Sequence, residues 1–108
     1  MSKSSKFASI GTFKLDPAHR EAQRAALEAR IAPMVRQMRG FVTGFWCEDE
    51  AKGLSHHYMV FEDETGVRAL HEQIERSSED ARRHGVTLES LTTMPVITTA
   101  SPATESRG

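Results

Sequence analysis

From Phe7 to Leu15 the chain alternates, with Phe7, Ser9, Gly11, Phe13 and Leu15 set against Ala8, Ile10, Thr12 and Lys14. That two-residue period belongs to a strand rather than a helix. Phe41 to Cys47 repeats it, placing Phe41, Thr43, Phe45 and Cys47 on one side and Val42, Gly44 and Trp46 on the other. Leu54-Ser55-His56-His57-Tyr58-Met59-Val60-Phe61 is the least polar run, combining aromatic, β-branched and histidine residues without a breaker, and is expected to be a central strand. Val86 to Thr93 reads as a fourth strand. Pro95 cannot donate to a ladder, so this strand should lie at an edge, or bulge or bend near Met94-Pro95.

Between these runs the period changes. Asp16-Pro17 reads as N-cap and first helical residue, since the carboxylate can accept from orphan N–H groups and proline lacks only a donor that would go unpaired. Leu27, Ile31, Met34, Val35 and Met38 then recur at three- and four-residue spacing, an apolar stripe that predicts a helix packed on the sheet. Pro33 removes the bond to the Ala29 carbonyl and predicts a kink, and Gly40 closes the element. Glu48 to Gly53 is a polar, glycine-ended connection, short enough for a hairpin. Asp63 or Thr65 can cap a second helix with Val67, Leu70, His71 and Ile74 on one face. Residues 75–84 are almost entirely polar and either continue that helix or break at Ser77-Ser78, with Gly85 as terminator.

The order β-α-β-β-α-β is the ferredoxin-like α+β arrangement, a four-stranded antiparallel sheet with its first and third strands central. At 108 residues the chain supports one domain, expected over residues 7–100, with a flexible amino terminus at 1–6 and a flexible tail at 101–108. Two helices cover one face of such a sheet, yet both faces of the first three strands carry bulky apolar groups. The second face therefore predicts a homodimer packed sheet to sheet.

Composition narrows the function classes. A net charge of −1 with 27% charged residues gives no electrostatic case for nucleic acid or an anionic membrane. No apolar run approaches the roughly 20 residues of a membrane helix. The single cysteine, Cys47, cannot form an internal disulfide, so a cytoplasmic protein is expected. RNA-recognition domains share the topology, and Lys52-Gly53 precedes the third strand much as their motif begins, but Leu54-Ser55 follows and the exposed aromatic alternation is missing.

Phe7 to Leu15, the helix ending Arg39-Gly40-Phe41-Val42, the strand ending Val60-Phe61-Glu62-Asp63-Glu64-Thr65, and the late strand together resemble the dimeric α+β barrel superfamily, especially its antibiotic biosynthesis monooxygenase-like branch. The resemblance spans roughly Phe7 to Ala100. It implies a pocket between sheet and helices in which a small aromatic ligand, an electron-rich phenol or quinol, reacts with oxygen directly, with no cofactor and no metal. Active sites of that branch often hold asparagine with tryptophan or tyrosine, and this chain has no asparagine. Haem-degrading members expect an asparagine on the first strand and a tryptophan and histidine around the second helix, whereas Trp46 lies on the second strand.

Candidate chemistry rests on a few side chains. His56 and His57 are adjacent on a strand, point to opposite faces and cannot chelate one metal together. Either could serve as a base at near-neutral pH while the other meets a dimer partner, and His57 is the preferred pocket residue. His71, on the apolar stripe of the second helix, is the second catalytic candidate. Trp46 and Tyr58 are the candidate ligand-binding residues, able to stack on an aromatic ring. Each has a plain structural role as well: buried histidines are usually hydrogen-bonded core residues, and Trp46 could simply pack. The alternative function is a non-catalytic small-molecule-binding or dimerisation protein of the same fold.

Overall fold

The alternating runs become β1 (Phe7–Leu15), β2 (Phe41–Asp49), β3 (Leu54–Phe61) and β4 (Val86–Pro95), all antiparallel and ordered β2-β3-β1-β4. This computed structural model describes residues 5–102, and the termini predicted to be flexible fall largely outside that range. The sheet is ferredoxin-like, with β1 and β3 central as the sequence predicts.

From Pro17 to Arg36 the chain is helical in four pieces. Asp16 accepts from the Ala18 N–H and opens a 3-10 turn, Pro17–His19. Then follow α1 (Arg20–Ala26), a π turn over Leu27–Ile31 and α2 (Ala32–Arg36). The kink predicted at Pro33 takes the form of that π turn: the Ala32 N–H reaches five residues back to the Leu27 carbonyl, just before proline interrupts the regular ladder. Gly40, at a φ of 81°, reverses the chain into β2.

Asp63 caps α3 (Glu64–Arg76) by accepting from the Gly66 N–H, and Ser77 separates it from α4 (Ser78–Arg83). The polar stretch therefore breaks rather than continuing. Gly85, at a φ of 87°, turns the chain into β4. β4 is an edge strand, and its irregularity lies against Thr12 and Phe13 rather than near Pro95, because Ser90 pairs with Thr12 and Leu88 with Phe13, leaving Glu89 as the extra residue.

The helices cover one face of the sheet. There Val35, Met59, Phe61, Val67 and Leu70 form the buried core, with Ile31, Met38, Trp46 and Ile74 packed around it. A bulge at Val42 corrects the simple alternation of β2: Phe41 pairs with Phe61 while Thr43 pairs with Val60, so Phe41 turns to the helix side and meets Phe61 edge-on, ring centres 5.6 Å apart. The other face carries Ala8, Ile10, Phe45, Tyr58, Val60 and Met94, brought together by register, and Phe45 is 56% exposed.

Candidate active site

Between the sheet and its helices lies a cavity of about 570 Å³. Its floor is made by Phe13 on β1, Trp46 on β2, and Ser55, His57 and Met59 on β3. Its sides are the stripe Leu27, Ile31, Met34 and Val35 and the α3 residues Leu70 and Ile74. Gln23, Arg30, Gln73 and Asp80 from the helical elements, and His84 just after α4, add polar groups. An apolar cleft of this size with a few polar groups suits a small ligand.

The period of two aims the floor residues. Trp46 lies directly opposite His57 across β2 and β3, and the Phe13 ring centre lies 5.8 Å from that of His57. Gly11 faces His57 from β1, and a β-carbon added there would fall 2.7 Å from the imidazole Cε1, so the ring rests on bare backbone. The small residue is what allows an imidazole to lie flat in the sheet's interior.

His57 is 2% exposed. Its Nε2 lies 2.8 Å from Ser9 Oγ, and the same hydroxyl lies 2.6 Å from Nε2 of His71. Ser9 is fully buried. A hydroxyl carries one hydrogen, so Ser9 donates to one imidazole and accepts from the N–H of the other. The bridge links β3, β1 and α3. Among the described residues, His57 Nδ1 makes no hydrogen bond.

Burial, and secondarily the nearby His71, push the His57 pKa down from 6.5 to about 4. His71 is only half-buried, and desolvation also lowers its pKa, opposed by Glu75 one turn along α3. Both rings are therefore neutral at pH 7, which leaves each with one nitrogen able to accept a proton.

Trp46 and His57 wall the cavity. His71 does not, and is linked to it only through Ser9 and then His57. Tyr58 is misplaced by the sequence reading: strand alternation turns it to the open face, where it stacks on Phe45 at 5.1 Å, so it cannot join Trp46 and His57 around one ligand. His56 also faces that side, with Nδ1 3.2 Å from Thr12 Oγ1. Sequence reasoning missed Ser9. The available signal was a small hydroxyl residue two positions before Gly11 on the helix-facing side of a strand otherwise bearing Phe7, Phe13 and Leu15.

Among the described residues no cluster of three metal-ligating side chains occurs, and no helix is long and apolar enough to cross a membrane. No protein-family model matches the chain, and no curated protein matches it by sequence. Solved structures do. The chain superimposes on SnoaB, a cofactor-independent oxygenase from Streptomyces nogalater, with a TM-score of 0.64 and 20% identity, over 87% of this chain and 95% of that one. The chain shares with SnoaB the ferredoxin-like α+β fold, which agrees with the resemblance seen in the sequence at the level of fold. A dimeric ferredoxin-like protein from an uncultured marine organism gives a TM-score of 0.66 at 16% identity, covering 89% of this chain and 99% of that one. NE2512, a protein of unknown function from Nitrosomonas europaea, gives 0.71 at 18% identity, covering 94% and 99%. The shared fold thus includes an oxygenase and a protein of unknown function.

Proposed function

We propose that the protein is a cofactor-independent monooxygenase acting on a small aromatic phenol or quinol bound in the cavity, working as a cytoplasmic homodimer. The carrying observation is His57: a buried, neutral imidazole in the wall of an apolar cavity, opposite Trp46 in the sheet register and with its ring centre 5.8 Å from that of Phe13. The aromatic walls take up the ring, and Nδ1 takes the acidic proton.

For a phenol with a free para position, the chemistry balances with molecular oxygen as sole oxidant. His57 removes the hydroxyl proton, and the phenolate gives one electron to oxygen. The resulting superoxide and phenoxyl radical join at the para carbon, forming a C–O bond, and the imidazolium returns the proton to the distal peroxide oxygen. The base then takes the C–H proton at that carbon while the O–O bond breaks, and the departing hydroxide collects that proton. Phenol and one oxygen molecule become a quinone and one water. A dry cavity favours this sequence, because electron-rich anions lose their hydration there.

The homodimer reading rests on the apolar open face. Ile10, Phe45, Tyr58, Val60 and Met94 form a contiguous apolar patch on the side the helices leave bare, and a second copy packed on it would cover them.

Oxygen uptake with anthrone, 1,4-naphthalenediol and catechol tests the activity. Turnover above the uncatalysed rate, cut about a hundredfold or more by His57→Gln, is the expected result. Trp46 is the only tryptophan, so its fluorescence reports occupancy separately. Quenching by these compounds with no added oxygen uptake would overturn the enzymatic reading in favour of a non-catalytic binder.

A further inference from the structure

The Ser9 bridge joins two environments. On one side is His57, deep in the fold and part of the cavity wall; on the other is His71, half-buried on α3 with Glu75 one turn away. A charge on His57 is poorly solvated, whereas a charge on His71 meets solvent and a carboxylate. The two Nε2 atoms and the hydroxyl between them lie within short hydrogen-bond distance, so protons can exchange with little atomic movement.

We propose that Ser9 and His71 form a proton relay that drains His57, so that a proton accepted at the cavity ends on His71 and the buried imidazole remains neutral. The resting state has His57 as the Nε2–H tautomer donating to Ser9 Oγ, and Ser9 donating to His71 Nε2. When a proton bonds to His57 Nδ1, the Nε2–H bond breaks and its proton passes to Ser9 Oγ. The original Ser9 O–H bond breaks in turn, and that proton bonds to His71 Nε2. No atom is gained or lost beyond the incoming proton. His57 finishes neutral as the Nδ1–H tautomer, Ser9 finishes as a hydroxyl, and His71 finishes as imidazolium. Reversal returns the proton when the peroxide or the departing hydroxide needs it.

Assigning a substrate as the proton source rests on the monooxygenase reading; the relay itself does not. Ser9 and His71 touch no cavity ligand, so they are positioning and relay residues, and His57 alone meets the substrate. The groups acting on His71 are Glu75 on its own helix and, through Ser9 of β1, His57 on β3.

Nitrogen-15 NMR of the imidazoles in the ligand-free protein tests the relay without any substrate. Above the His71 titration, His57 should be the Nε2–H tautomer. As His71 gains a proton from solvent it must donate to Ser9, which then donates to His57 and forces the Nδ1–H tautomer. One pH midpoint should therefore govern charging of His71 and the tautomer switch of His57. His71→Gln can still hydrogen-bond Ser9 but cannot take up the proton, so the tautomer of His57 should become independent of pH near that midpoint. Ser9→Ala, if it folds, should uncouple the two rings as well. A His57 tautomer that ignores His71 titration in the wild type, or that is Nδ1–H throughout, overturns the relay.

With anthrone, His71→Gln should lower kcat at least tenfold with KM nearly unchanged. A kcat equal to wild type would overturn the relay's part in turnover. Absence of turnover in the wild type would instead defeat the monooxygenase reading, with the tautomer measurement still deciding the relay.

Discussion

Acidification from pH 7.5 to 5 should destabilise the fold through His57. Its pKa is 6.5 when exposed and about 4 in the fold, because burial and the neighbouring His71 disfavour the charge. Between those values the unfolded chain binds a proton that the native protein refuses, so stability is full above pH 6.5 and falls as the pH drops toward 4. At pH 5 the unfolded state is favoured about thirtyfold by this one group, a loss of about 2 kcal/mol, approaching about 3 kcal/mol at pH 4. His71 shifts in the same direction and adds to the slope. The window stops at pH 5 because ordinary carboxylates begin to titrate below it. Urea denaturation at half-unit pH steps measures the effect, and the midpoint should fall by roughly 1 M at constant m. His57→Gln should lose most of the slope. An unchanged midpoint between pH 7.5 and 5, or a full slope in the variant, would refute the account of a buried neutral imidazole.

Other substitutions probe separate contacts. Gly11→Ala places a β-carbon 2.7 Å from His57 Cε1 and 2.9 Å from its Nδ1, so the ring must leave Ser9; urea denaturation should show a loss of about 1–3 kcal/mol, and the Ser9 hydrogen bond should vanish from imidazole NMR. Asp63→Ala removes the cap on the Gly66 N–H and should cost about 1 kcal/mol by the same assay, with the cavity intact. Phe45→Glu puts a charge beside Tyr58 on the open face and should halve the mass found by light scattering at micromolar concentration, with little change in far-UV circular dichroism. Trp46→Ala enlarges the cavity floor and should raise KM for anthrone more than it lowers kcat.

Strand periodicity carried most of the fold into view. Phe7 to Leu15 and Leu54 to Phe61 alternate cleanly, and the β-α-β-β-α-β order makes these first and third strands central. Two features escaped because they depend on backbone pairing rather than side-chain type. The bulge at Val42 sends Phe41 and Phe45 to opposite faces, and nothing in Phe41-Val42-Thr43 marks it. The π turn before Pro33 is one of several ways a helix can absorb a proline. The site was half legible. Adjacent histidines on a strand must diverge, which separates His56 from His57, but the same rule places Tyr58 with His56, away from the cavity. Ser9 lies 48 positions from His57 and 62 from His71, so no local pattern could join the three.

Placement in the sheet gives the Ser9 bridge unequal halves. Ser9 and His57 belong to β1 and β3, each hydrogen-bonded to a strand on both sides, so their separation is fixed by ladders that open only with the whole fold. His71 stands on α3, held by Val67, Leu70 and Ile74 against the core and by the Asp63 cap at its start. The helix is the softer partner, because its outer side is solvated and the chain breaks at Ser77 soon after it. Leu70 and Ile74 line the cavity from that same helix, so a ligand seated there touches the element that carries His71.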